Sequence, residues 1–199
     1  MTIPAGFLLA ASVGVMTQTN AILGSAGLGD KFGMIMALIM VFGLLGSAIL
    51  GFLDDKFGTK KAMLISCIIM VIAGALGMAS KTNGTLAMPA LFCLAIFMGA
   101  SSNFTVSLAA QYWRREDFSS VFGRVNPVAN LINAFGPAAV GMIMGITGSY
   151  VAIFTMVLIL GIISVILVLC FNAGHVKAKD DAYRKAAGKT LDDALAGRK

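Results

Sequence analysis

Six long apolar runs, separated by short stretches that hold nearly all of the charge, limit this chain to very few architectures. The runs lie at about 4–26, 32–53, 62–80, 86–111, 125–146 and 149–171. As helices rising about 1.5 Å per residue, each is long enough to cross a hydrocarbon layer of roughly 30 Å. No Asp, Glu, Lys or Arg falls clearly within a run. A mean hydropathy of +0.90, with 58% hydrophobic and 12% charged residues, is not the composition of a soluble globular domain. Transmembrane strands would be about half as long and would alternate in polarity, which excludes a β-barrel. The expected fold is an all-α membrane protein: a six-helix transmembrane bundle over 1–172, then a basic cytoplasmic tail over 173–199. That tail, rich in Ala and charge, reads as mostly solvated.

The three cysteines, Cys67, Cys93 and Cys170, lie in apolar helix and read as small hydrophobes, not as a disulfide or metal framework. The apolar start ends in a small-residue stretch, Leu9-Ala10-Ala11-Ser12, but lacks a positive leader and stays apolar beyond it. It reads as a first span, not a signal peptide. Charge sets the orientation. Loops assigned alternately place Lys56, Lys60, Lys61, Arg114, Arg115, Arg124 and seven tail cations on one side, against Lys31 and Lys81 on the other. That bias puts both termini in the cytoplasm, in the plasma (inner) membrane. The net charge of +6 then reflects topology and contact with anionic lipid, not nucleic acid.

The stretch from Gly51 to Lys61, GFLDDKFGTKK, joins the second and third runs. A tight turn there must hold its charges in water and satisfy free amides and carbonyls at two helix ends. Gly51 is expected to let the span end pack closely and Gly58 to permit the turn. Asp55 would face a helix N-terminus, with Lys56, Lys60 and Lys61 at the cytoplasmic surface. The spacing Gly-x-x-x-Asp-Lys-x-Gly-x-Lys-Lys resembles the signature loop of the major facilitator superfamily (MFS) of secondary transporters, with Thr59 where that family usually has Arg or Lys. The later stretch adds to it. Trp113-Arg114-Arg115-Glu116-Asp117-Phe118 leads through Gly123-Arg124 to Gly136-Pro137, Gly141 and Thr147-Gly148-Ser149-Tyr150, and this is similar to the last three spans of the monocarboxylate and oxalate/formate branches. Those transporters have twelve spans in two halves, and the resemblance is to the C-terminal half, up to about residue 172.

Polar side chains at membrane depth are few. Thr17-Gln18-Thr19-Asn20 puts four in succession, with Gly24, Gly27 and Gly29 following, so the first span is expected to be interrupted where protein or a water-filled cavity satisfies it. Gly43, Ser47 and Gly51, and again Gly141 and Gly145, recur every four residues as strips for close helix approach. Asn103, Ser107 and Gln111 share one face of the fourth span, and Asn126, Asn130 and Asn133 one face of the fifth. Buried amides cost several kcal/mol each unless they find partners or water. Two readings stay open: a hydrated cavity whose amides contact a solute, or hydrogen bonds that glue the bundle. In the family the first and fourth helices of each half line the central cavity. The resemblance therefore implies that Thr17, Gln18 and Asn20 face Asn103 and Ser107, with Asn130 and Asn133 joining the substrate pathway. Arg124 reads as a cytoplasmic anchor, or as a cation meeting an entering anion.

The lone His175 lies in the tail, and no nucleophile, metal-ligand cluster or phosphate-binding loop stands at a working spacing, so neither an enzyme nor a cofactor is expected. The resemblance implies secondary transport of a small solute, an organic anion being the candidate class, by alternating access. The Asp55 loop would act as a conformational latch. Partners would be the bilayer, the solute and a second six-span bundle, a separate N-terminal half rather than a homodimer. The competing expectation is a truncated, non-transporting remnant or an accessory membrane subunit; a six-span pore lacks any filter-like segment or ring of charge.

Overall fold

All six apolar runs are helical in the computed structural model, which describes residues 1–113, 117–172 and 174. The helices are α1 (Thr2–Thr17), α2 (Thr19–Ser25), α3 (Phe32–Phe57), α4 (Thr59–Ala79), α5 (Ala87–Tyr112), α6 (Phe118–Thr147) and α7 (Tyr150–Cys170). Five are long and apolar enough to cross a membrane, and α1 with α2 makes a sixth crossing as one broken span bent by 61°. The break falls at Gln18, inside the expected polar stretch. Its chemistry is local. The Thr17 hydroxyl donates back to the Gly14 carbonyl at 2.6 Å and the Thr19 hydroxyl to that of Met16 at 2.9 Å. Hydroxyls competing for main-chain acceptors in this way bend helices.

Three helix pairs approach closely, and each does so at glycine. Between α1 and α6, a Cβ on Gly14 would lie 2.8 Å from the Gly136 carbonyl oxygen, and one on Gly6 would lie 2.8 Å from Ile132 Cβ. Between α3 and α5, Gly46 sits on the main chain of Ile96, and Gly99 faces Ser47. Between α4 and α7, Gly77 admits the Phe154 ring and Gly74 admits the main chain of Leu158. Hydrocarbon gives helices no hydrophobic reason to associate, so contact area gained by close approach carries the packing. The interior is filled by Leu8, Met63, Met70, Leu91, Leu94, Phe97, Phe104, Phe154 and Val157. The expected strips need correction. Ser47 does pack on Gly99, but Gly46 makes the closer contact, while Gly51, Gly141 and Gly145 have no atom within 4 Å of where a Cβ would stand. Four-residue spacing marks a face without saying which neighbour it meets.

The outward faces of the bundle are largely apolar. On α4 and α7, Ile68, Ile72, Ile159, Ile162 and Ile166 are exposed. The inter-span turns are shorter than the sequence implied. α3 continues through Phe57, so Gly51, Asp55 and Lys56 are helical and Gly58 alone separates α3 from α4. α6 starts seven residues before the expected 125, which brings Arg124 into the helix. Of the tail from 173, only Gly174 is described.

Candidate functional site

The hairpin between α3 and α4 turns on one residue. Gly58 has φ 86° and ψ 154°, a conformation open to little but glycine. Its N–H donates to the Asp54 carbonyl at 2.9 Å and closes α3. The first amide of α4, on Thr59, would otherwise be orphaned. It donates to Gln111 Oε1, at the end of α5, at 2.9 Å. The Thr59 hydroxyl donates to Asp54 Oδ1 at 2.7 Å, and Gln111 Nε2 donates to that oxygen at 3.3 Å. Thr59 is wholly buried and Asp54 is 6% exposed.

Within this bundle it is not Asp55 that faces the helix start across the turn. The carboxylate that meets the start of α4 is that of Asp54, while Asp55 is exposed one residue further on. Both lie in the last turn of α3, where the carbonyl end of the helix disfavours negative charge. Asp54 is compensated by two donors and by the positive end of α4; Asp55 has no such compensation among the described residues. The lysines divide as well. Lys60 Nζ donates to the Phe171 carbonyl at 2.6 Å, a cation at the carbonyl end of α7. Lys56 lies 5.6 Å from the Phe52 ring and 5.5 Å from the Phe57 ring, and Lys61 5.8 Å from the latter, as exposed cation–π contacts.

The amide stripes split between the two readings. Gln111 serves the hairpin, and Thr105 donates to Asn126 Oδ1 at 3.4 Å, linking α5 to α6. These two amides hold the bundle together. Asn103 and Asn130 are exposed and Ser107 half-buried, and among the described residues no hydrogen bond joins them to another side chain. Asn133 Oδ1 is buried without a partner. Pro137, four residues on, has no N–H to give the Asn133 carbonyl, so the regular helical bond to that carbonyl is missing as well. Asn133 shares a face with Gly136, which packs on α1. Helices α1 and α5 are neighbours, as a shared cavity wall requires, but no described hydrogen bond joins Thr17, Gln18 or Asn20 to Asn103 or Ser107. Thr17 and Asn20 are exposed and Gln18 is half-buried.

Residues 2–195 match the family model of the Major Facilitator Superfamily. The chain belongs to that superfamily. Among curated relatives it is 28% identical over 134 residues to the "Probable nitrate transporter NarT" of Staphylococcus epidermidis, an alignment covering 67% of this chain and 33% of that protein. To the protein of the same name from Staphylococcus haemolyticus it is 27% identical over 157 residues, covering 77% of this chain and 37% of the relative. The chain thus spans about a third of the length of these relatives. It is an integral membrane protein of a transporter family.

In this facilitator chain the grooves along α7 are apolar. One of about 410 Å³ runs past Ile143, Met156 and Ile159, and one of about 280 Å³ lies between Ile68, Ile72 and Ile162. They suit acyl chains, not a polar solute. No cluster of metal ligands occurs among the described residues. The sequence reading missed Asp54, Thr59 and the true place of Gln111. One signal was available: an Asp four residues before the turn glycine, with Thr directly after it, can bridge the two helix ends.

Proposed function

We propose that this chain is one six-span half of a secondary transporter, moving a small anion by alternating access together with a second six-span bundle. The observation that carries the reading is the set of amides on α5 and α6 left open by their own bundle. Asn103 and Asn130 are exposed among described residues whose outward side chains are largely apolar, and Asn133, one turn from Asn130, holds a buried oxygen without a partner. Against lipid such groups are costly; lining a hydrated path closed by a second bundle, they are solvated and available to a solute. Amides present both donors and acceptors, so they fit a small polar anion without fixing its identity. The relatives named as nitrate transporters make nitrate the first solute to test, ahead of organic anions.

The cations within the helices lie near their ends, Arg124 in the second turn of α6, so the charge that balances an anion at the midplane is assigned to the second bundle, with Arg124 at the cytoplasmic mouth. The cation bias of the loops supports a plasma-membrane orientation with both termini inside. The exposed Asp55, poorly placed at the end of its own helix, is the latch: it docks against a helix N-terminus of the second bundle in one state and releases in the other. Proteoliposomes carrying the chain with its membrane partner should take up labelled nitrate or formate, and those carrying either bundle alone should not. Uptake absent with both bundles present supports the non-transporting reading instead.

A further inference from the structure

Four helix ends meet at the hairpin face and are tied into one layer. Asp54 lies at the end of α3, Thr59 and Lys60 open α4, Gln111 and Tyr112 close α5, and Phe171 follows α7. Besides the bonds among Asp54, Thr59 and Gln111, Lys60 donates to the Phe171 carbonyl, and the Tyr112 ring meets the Phe171 ring edge-on at 5.3 Å between centroids. Gln111 is the centre of this layer. One end of its amide accepts the first N–H of α4, and the other donates to a buried carboxylate, joining parts of the chain 52 and 57 residues away.

The donors to Asp54 Oδ1 are neutral, a hydroxyl and an amide. A carboxylate held this way keeps its place only while both donors stay, because a buried charge that loses a donor bears the full desolvation penalty. Thr59 is wholly buried and Asp54 nearly so, whereas Gln111, which partners both, is exposed at the end of α5.

We propose that Gln111 and Asp54 are positioning residues that fasten the α3–α4 hairpin to the end of α5, so that these three helix ends move as one body. Three residues before Gly58 and next to the fastened Asp54, the exposed Asp55 is thereby held on the outer side of α3. The consequence for transport rests on the reading above; the fastening itself does not.

Hydrogen exchange followed by mass spectrometry, on the full chain in lipid nanodiscs, tests it over 54–62. Gln111→Leu removes both bonds and should speed exchange of the first α4 amides by roughly tenfold, leaving the middle of α4 unchanged. Gln111→Glu, which sets two carboxylates together, should do the same. Combining it with Asp54→Asn restores a donor facing an acceptor, so the double variant should return close to wild-type protection. A role in filling space alone predicts no such rescue. Wild-type exchange in both single variants, or a double variant faster than either, overturns the proposal. In proteoliposomes with the second bundle, and nitrate as the probe, Gln111→Leu should lower the maximal rate several-fold at unchanged KM. If exchange responds as described while the wild type carries neither nitrate nor formate, the fastening stands and the transport reading falls. If the wild type transports and exchange does not respond, the reverse holds.

Discussion

Gly14 on α1 and Gly136 on α6 meet main chain to main chain, with no room for a side chain between them. A Cβ on Gly14 would stand 2.8 Å from the Gly136 carbonyl oxygen, and one on Gly136 would run into the carbonyl of Ala10. Gly14→Val should therefore lower the stability of the purified protein by about 1–3 kcal/mol, the usual range for overpacking. Gly141→Ala, on the same α6 but in open space, is the control. It should be neutral or slightly stabilising, since alanine is the better helix former by about 1 kcal/mol. Thermal unfolding in detergent reads both, and equal losses would mean that α1 and α6 do not approach this closely.

Gly58 gives a second test. At φ 86° and ψ 154° an L-residue is strained by about 1–3 kcal/mol, and a Cβ there would also stand 3.4 Å from Gln111 Oε1. Gly58→Ala should lower the unfolding midpoint, while Gly51→Ala, helical and unobstructed, should not. A Gly58→Ala protein as stable as the wild type would argue against a one-residue turn.

The six spans and the broken first span were legible because each depends on composition along one helix. Asp54 and Gln111 were not, because their roles come from juxtaposition of residues 57 apart in the chain. The family spacing drew attention to Asp55, which matches the signature, and away from its neighbour, which the fold buries. Thr59, a departure from that signature, turned out to be the residue whose amide and hydroxyl hold the turn. The amide stripes show the same limit. Periodicity placed Asn126 and Asn130 on one face, yet only contact with α5 could show that Thr105 engages Asn126 while Asn130 stays open.

Orientation is tested by single cysteines in a background lacking Cys67, Cys93 and Cys170. Thr59, wholly buried in the turn, is useless as a reporter in either orientation. Lys61 and Asn83 are both exposed at opposite ends of α4. In intact cells an impermeant thiol reagent should label Asn83→Cys and spare Lys61→Cys until the membrane is opened. The reverse pattern would place the termini outside.

Asp55 and Asp54 should separate in function. Asp55→Asn keeps the side-chain size but removes a charge whose interaction with a facing helix N-terminus is worth about 0.3–1 kcal/mol when exposed and up to about 2 when partly buried. Transport by the two-bundle assembly should fall between about twofold and thirtyfold, with membrane insertion intact. Exchange over 54–62 should stay as in the wild type, because Asp55 takes no part in the Gln111 tie. Unchanged transport in this variant would reduce Asp55 to a surface charge.

Partnership decides whether any of this serves transport. Two faces of the bundle carry large apolar side chains outward: α3 with Met40 at 69% and Leu44 at 74% exposure, and α6 with Phe135 at 66% and Leu131 at 62%. Lipid would cover these as readily as protein, so they do not demand a partner by themselves. On the reading proposed above, it is Asn103 and Asn130 on α5 and α6 that a second bundle would cover, since exposed amides find no water in hydrocarbon. A photo-crosslinking residue at Leu44 or Leu131 should therefore capture a second six-span polypeptide in native membranes, whereas one at Ile162, on the lipid-facing side of α7, should yield lipid adducts. Mass analysis of the adduct then separates a distinct N-terminal half from a second copy of this chain. A separate half is expected, since a second copy would bring no cation near the middle of its spans to balance an anion. Lipid adducts at all three positions would mean a lone bundle, and transport would give way to a non-transporting role.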